Sequence, residues 1–229
     1  MPAPATIVFD LDGTLVDTAP DLVRALNHAI ALEGAEPISI DETRSMIGAG
    51  ARALLARGLS ARRRNLPDER FEELHRAFLD HYEAHIADHS RPFDGTLAAL
   101  DRLRTAGYGL AICTNKIERL AKKLVGLLDL DRYFRVVVGG DSYDKQKPDP
   151  KPLMGAIGRA GGNGLPAILV GDSATDLWTA QAAGIPLIGV TFGYTDVPMA
   201  ELGPDRLISD YGALDAAVDG LLGEPPRRG

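Results

Sequence analysis

Apolar residues along this chain gather in five short runs rich in β-branched side chains, at 6–9, 109–113, 135–138, 167–170 and 187–190. None alternates with polar residues as a strand with one wet face would; continuous apolar runs of this length suit strands covered on both faces. Helical stretches lie between them: 95–105 leads into the second run, and 116–128, 152–160 and 173–183 fill the later gaps. Strand–helix alternation predicts an α/β fold, a doubly wound parallel sheet covered by helices. Right-handed crossovers then bring all strand carboxyl ends to one edge.

Between the first run and Gly95 there is no strand signal, over a stretch too long for a plain crossover. Its periodicity is helical. Segment 21–32 sets Leu22, Leu26 and Ile30 on one stripe beside Ala25 and Ala29, and 67–88 does the same with Phe71, Leu74, Phe78, Tyr82 and Ile86. A helical module inserted after the first strand would sit over the carboxyl edge as a cap. The predicted division is a core of 1–16 and 92–229 and a cap of 17–91.

Polar residues fall at the predicted strand ends: Asp10 and Asp12 after the first, Thr114 and Asn115 after the second, Asp141 after the third, Asp172 after the fourth. In open α/β sheets that edge is where ligands bind. Asp10 and Asp12 lie two residues apart at the end of a strand, so they share a side. Two acids this close stay ionised only beside a cation, unless one keeps its proton. Either outcome is useful: one carboxylate serves as nucleophile on a metal while the other moves protons. Asp-Gly is also ordinary turn chemistry. Convergence from strands distant in sequence favours an active site.

Three further clusters make up a set for phosphoryl transfer. Thr114-Asn115 offers a hydroxyl and backbone N–H groups to phosphoryl oxygens. Lys145-Gln146-Lys147-Pro148-Asp149-Pro150 holds lysine in a proline-stiffened loop, where it offsets negative charge. Gly171-Asp172-Ser173-Ala174-Thr175-Asp176 opens a helix with carboxylates four apart, hard oxygen donors that suit Mg²⁺.

Composition narrows the field. The 229 residues are 45% hydrophobic and 25% charged, as in ordinary soluble globular proteins. A formal charge of −7 argues against nucleic-acid or anionic-membrane partners. Arg62-Arg63-Arg64 is the one compact basic cluster and reads as a solvated helix end or loop. The single Cys113 excludes an internal disulfide and reads as strand packing. All five histidines fall in the helical module, and His81, His85 and His89 repeat every four residues; no carboxylate completes a zinc set, so a polar helix flank is expected. With no histidine in the core, a Ser-His-Asp mechanism lacks its base. No charged-then-apolar leader opens the chain, no apolar run approaches membrane-spanning length, and a short Pro-Pro-Arg-Arg-Gly tail closes it. A cytoplasmic protein is expected, as monomer or homodimer.

The ordered clusters resemble the motifs of the haloacid dehalogenase superfamily over nearly the whole chain. Asp10-x-Asp12-Gly-Thr is similar to its first motif, Thr114 to its second, Lys147 to its third, and Asp172 with Asp176 to its fourth. The resemblance implies that Asp10 is the nucleophile forming an aspartyl-phosphate and that Asp12 is the acid and base. It implies Thr114 and Lys147 as catalytic partners, and Mg²⁺ held by Asp10, Asp172 and the Asp12 carbonyl, with Asp176 in support. Asp12 argues against the dehalogenases, whose leaving halide needs no proton. The absence of any lysine before Lys116 removes the phosphonate-cleaving members, which use a cap lysine. The linker Ala19-Pro20-Asp21-Leu22 and the pair Gly171-Asp172 differ from the sugar phosphomutases.

Secondary motifs are most similar to those of bacterial phosphoglycolate phosphatases: Asp17-Thr18-Ala19-Pro20-Asp21-Leu22, Ile47-Gly48-Ala49-Gly50-Ala51, Thr114-Asn115-Lys116, Gly139-Gly140-Asp141 and Thr191-Phe192-Gly193-Tyr194. They imply 2-phosphoglycolate as the favoured small phosphorylated metabolite, with sugar phosphates, nucleotides and pyrophosphate as alternatives. Thr14, Asn115, Gly50 and Arg52 are the expected substrate contacts. Arg52 is expected to neutralise the substrate carboxylate at a helix N-terminus, with an exposed surface arginine as the plainer reading. A phosphoacceptor signalling module would share the acids, the Thr and the Lys, but it needs no cap and gains nothing from Asp12.

Overall fold

The computed structural model describes residues 4–223, so the Pro-Pro-Arg-Arg-Gly tail lies outside the described residues. Its strands are β1 (Thr6–Phe9), β2 (Val16–Asp17), β3 (Arg91–Pro92), β4 (Gly109–Cys113), β5 (Val136–Val138), β6 (Ala167–Gly171), β7 (Leu187–Val190) and β8 (Arg206–Ile208). Six of them form one parallel sheet in the order β5-β4-β1-β6-β7-β8. The α/β expectation holds, and all five predicted strands are present.

β1 is central, with Thr6 level with Gly109 of β4 on one side and Ala167 of β6 on the other. The period of two separates the faces. Val8, Ala111 and Leu169 enter one core with Leu153, Ile157 and Leu177, whereas Ile7, Phe9, Ile112 and Val170 enter the other with Leu100, Leu103, Leu120 and Leu124. These helical residues belong to α5 (Thr96–Thr105), α6 (Glu118–Leu127), α7 (Lys151–Arg159) and α8 (Ala174–Ala183). Both faces are dry, which is why no strand of the inner sheet alternates. Because β4 and β6 flank β1, the strand order reverses there, opening the crevice at the carboxyl ends where such folds bind ligands.

Sequence periodicity marks neither the two-residue β2 and β3, which fall where it shows no strand signal, nor β8. It is three residues long, sits at the sheet edge, and leaves Leu207 exposed, so its apolar signal is weak. The short α9 (Met199–Leu202) and the closing α10 (Leu214–Gly223) were likewise not anticipated.

The stretch after β1 forms α1 (Ala19–Ala31), α2 (Ile40–Arg44), α3 (Ala51–Ala61) and α4 (Asp68–Ala84). Pro20 in the first turn of α1 and the Ser39–Glu42 capping box of α2 fix two starts. Leu26, Ile30, Leu74, Phe78 and Tyr82 are buried in one shared core, each large apolar side chain contributing roughly 1.5–3 kcal/mol. The antiparallel ribbon of β2 and β3 joins these helices to the sheet, with Asp17 opposite Arg91. Buried Asp21 fastens the same neck: its carboxylate accepts the His89 N–H at 3.0 and 3.1 Å and the Ser90 N–H and hydroxyl at 2.8 Å. Among the histidines, the His28 and His81 rings stack with centroids 4.2 Å apart, and the His85 ring lies tilted against His81 at 4.7 Å. Arg62 folds back onto Glu42 and the carbonyls of Glu36 and Pro37.

Candidate active site

The end of β1 places Asp10 in the crevice, its N–H donated to the Val170 carbonyl at 2.9 Å and its side chain buried. Gly13, at φ +83°, makes the turn that brings Asp12 back beside it; a Cβ there would overlap the Asp172 carboxylate. Lys147 approaches from the Pro-stiffened loop. Its ammonium stands 3.0 Å from Asp10 Oδ1 and donates to Asp176 Oδ1 at 2.6 Å. Burial opposes the Lys147 charge, but the facing Asp10 and Asp176 carboxylates outweigh it and hold the ammonium above the ordinary lysine value.

Asp172 and Asp176 are held by the chain around them. The Thr14 hydroxyl donates to Asp172 Oδ1 at 2.7 Å, and the Tyr194 N–H to Oδ2 at 2.6 Å. Asp176 Oδ2 accepts from the N–H groups of Asp172 and Ser173 and from the Ser173 hydroxyl, at 3.3, 3.2 and 2.7 Å. Oxygens of Asp10, Asp172 and Asp176 lie within 4.8 Å of one another, and among the described residues this is the one such group able to hold a metal ion. Burial raises the Asp10 acid from 3.8 to about 6, with Lys147 opposing and Asp176 and Asp12 adding to the rise. Asp172 is raised well above its ordinary value, first by burial and then by Asp176 and Asp10.

Three buried carboxylates with one lysine among them leave negative charge uncompensated. A hard divalent cation fits this donor set, and Asp10 Oδ1 is met by no donor other than the Lys147 ammonium, 3.0 Å away. Asp176 Oδ1 already accepts from the Lys147 ammonium, whereas both Asp172 oxygens meet only uncharged donors, which suits Asp176 to hold Lys147 and the Asp172 loop rather than a metal. The cluster therefore fits a divalent ion on Asp10 and Asp172.

Asp12 has a partner that sequence reasoning missed. Lys116, buried beside the second motif, donates to both Asp12 oxygens at 2.7 and 2.9 Å, and the Thr18 hydroxyl donates to Oδ1 at 2.7 Å. Burial lowers the Lys116 charge preference, but Asp12 and Tyr82 more than reverse it, leaving the ammonium above the ordinary lysine value. The signal was available: Lys116 is the first lysine of the chain and follows Thr114-Asn115 directly.

Asp10, Asp12, Thr114, Asn115, Lys116 and Gly50 line one narrow cavity of about 30 Å³, walled on the helical side by Leu22, Ile47, Leu54, Phe78 and Tyr82. Asn115 bridges the two sides, its amide donating to the Lys147 carbonyl at 3.1 Å and the Gly48 carbonyl at 3.3 Å. Four buried side-chain atoms among the described residues lack a hydrogen-bond partner; three of them, Asp10 Oδ1, Asn115 Oδ1 and Tyr82 OH, belong to residues lining this cavity. Buried polar groups are normally satisfied, so such a concentration marks where a polar ligand is received.

Two expected substrate contacts stand elsewhere. Thr14 does not line the cavity; its hydroxyl is committed to Asp172 because the Gly13 turn points it across the sheet edge. Arg52 lies in α3, pairs with Glu72, packs 4.8 Å over the Phe71 ring, and lines a wider cleft of about 590 Å³ that adjoins the cavity through Gly50, Ala51, Asn115 and Ile117. Its side chain is 59% exposed, which matches the plainer reading of this residue.

Comparison with known proteins agrees with this geometry. Residues 7–190 match the family model of haloacid dehalogenase-like hydrolases. The chain is 47% identical over 211 residues to the phosphoglycolate phosphatase of Agrobacterium fabrum, covering 92% of this chain and 91% of that one. It is 44% identical over 222 residues to the phosphoglycolate phosphatase of Caulobacter vibrioides, covering 97% and 94%. A crystal structure from Haemophilus somnus, described as a predicted phosphoglycolate phosphatase, superposes with a TM-score of 0.86 at 30% identity over 93% of this chain and 97% of the other.

Proposed function

The chain belongs to the haloacid dehalogenase-like hydrolase family, and from that premise we propose that it is a magnesium-dependent phosphatase that hydrolyses 2-phosphoglycolate to glycolate and phosphate. The observation that carries the reading is the dyad itself. Asp10 lines a cavity shared with Asp12, and its Oδ1 has the Lys147 ammonium 3.0 Å away.

In this mechanism the Asp10 carboxylate attacks phosphorus and the ester bond breaks, leaving an aspartyl-phosphate. Asp12 must carry a proton when the ester is bound, although Lys116 favours its carboxylate. It gives that proton to the departing alkoxide and then takes one from the water that attacks phosphorus and releases Asp10. Lys147 offsets the charge gathered on the phosphoryl oxygens, and Thr114, whose hydroxyl accepts the Lys116 N–H at 3.2 Å, stands on the same wall of the cavity. Mg²⁺ held by Asp10 and Asp172 supplies further positive charge to the phosphoryl group when bound. Segment 17–91 acts as a cap whose apolar wall excludes water and limits the substrate to a small ester.

No helix among the described residues is long and apolar enough to cross a membrane. Burial pushes the Cys113 thiol up to about 12, so the one cysteine is a packing residue rather than a nucleophile. The net charge of −7 supports a small-molecule partner rather than nucleic acid.

Steady-state phosphate release tests the reading. With Mg²⁺ present, kcat/KM for 2-phosphoglycolate is expected to exceed that for sugar phosphates, nucleoside monophosphates, pyrophosphate and p-nitrophenyl phosphate by about tenfold or more. Preference for a sugar phosphate or pyrophosphate would overturn the substrate. A stable phosphoprotein with no turnover on any ester would make the chain a phosphoacceptor module instead.

A further inference from the structure

Lys116 occupies a place the phosphoryl chemistry leaves unexplained. Lys147 already serves Asp10. Lys116 stands against Asp12 instead, with a side chain only 5% exposed, and it is the one cation among the described residues lining the narrow cavity. A lysine is costly to bury without partners. Its ammonium carries three protons, and its neighbours are the Asp12 carboxylate and the face of the Tyr82 ring, 4.7 Å from Nζ.

Tyr82 supplies the second observation. It comes from α4, is 2% exposed, and its hydroxyl has no hydrogen-bond partner although it lines the same cavity. An unmet buried hydroxyl costs about 1–3 kcal/mol. A donor without an acceptor beside a buried ammonium is a site for an anion.

Stereochemistry says which anion. Asp12 must reach the ester oxygen, and in 2-phosphoglycolate a single methylene separates that oxygen from the carboxylate. A cation held directly against Asp12 is therefore within one carbon of where the carboxylate lies, whereas Arg52 faces the adjoining cleft and is paired with Glu72.

We infer that Lys116 Nζ and Tyr82 OH form the subsite for the carboxylate of the substrate, a specificity device that rests on the reading of the chain as a phosphatase for a small phosphorylated hydroxy acid. Lys116 comes from the core and Tyr82 from the helical segment, so the subsite is complete only when the two are seated together. A carboxylate-bearing ester would then help to hold the cap closed, and an uncharged ester of equal size would not.

Binding in an inert background isolates this role from the help Lys116 gives Asp12 in the reaction. With Mg²⁺ present, calorimetry on Asp10→Asn protein compares 2-phosphoglycolate with 2-hydroxyethyl phosphate, which keeps the size and loses the carboxylate. Adding Lys116→Met is expected to raise Kd for 2-phosphoglycolate about thirtyfold or more, and for 2-hydroxyethyl phosphate less than about threefold. Tyr82→Phe keeps the ring and should weaken 2-phosphoglycolate selectively, by roughly threefold to tenfold. Equal weakening of both ligands, or selectivity that survives both substitutions, would overturn the subsite while leaving the substrate assignment standing. A parent protein with no preference for the carboxylate ligand would overturn both.

Discussion

Asp10→Asn is expected to lower kcat on 2-phosphoglycolate by about four powers of ten or more while leaving the fold in place. An amide has the shape of the carboxylate but is a poor nucleophile, and no neighbour can replace it: Asp12 is held by Lys116 and Thr18, and Asp172 by Thr14 and Tyr194. The substitution should not unfold the protein, because burial already works against the Asp10 charge and Lys147 keeps Asp176 as a partner. Thermal melting and single-turnover kinetics together check this. A well-folded variant retaining more than about a tenth of the wild-type kcat would remove Asp10 from the nucleophile's role.

Withdrawal of divalent metal should have an effect of similar size, and it has a readout that does not depend on turnover. In the metal-free protein Asp10 titrates near 6 rather than 3.8, and Asp172 is shifted in the same direction. The folded state then binds more protons than the unfolded chain between about pH 4 and pH 6, so stability falls as pH rises through that window. Metal binds the deprotonated acids of the folded state and must displace protons at the acid end. Added Mg²⁺ should therefore raise Tm more at pH 8 than at pH 5, by roughly 5–10 °C at a hundredfold excess over Kd. Chelation should abolish phosphate release, and Asp172→Ala should flatten the thermal response. Full activity in excess EDTA, or a Tm gain independent of pH, would remove the metal from the site.

The inner strands and the acids at their ends were legible because the same feature makes both. A strand buried on two faces reads as an unbroken apolar run, and the first polar residue after it must sit at the sheet edge. β8 escaped because an edge strand of three residues has too little buried surface to shape its sequence. The polar lining of the cavity was less legible for a different reason. Lys116 meets Asp12 across 104 positions of chain, and Tyr82 meets Lys116 from a helix whose stripe looks like ordinary core. Thr14 and Arg52 carried plausible chemistry at plausible spacing, yet Asp172 engages one hydroxyl and Glu72 the other's guanidinium. Local motifs name donors; only tertiary packing says which acceptor they meet.

The stereochemical course at phosphorus tests the central claim most directly. Two successive in-line displacements, the first by Asp10 and the second by water, return the original configuration, whereas direct attack by water inverts it. With a 2-phosphoglycolate analogue whose phosphoryl group is made chiral by sulfur and heavy oxygen, hydrolysed in isotopically labelled water, the account predicts retention. Inversion would contradict it, because no covalent intermediate on Asp10 could then lie on the path.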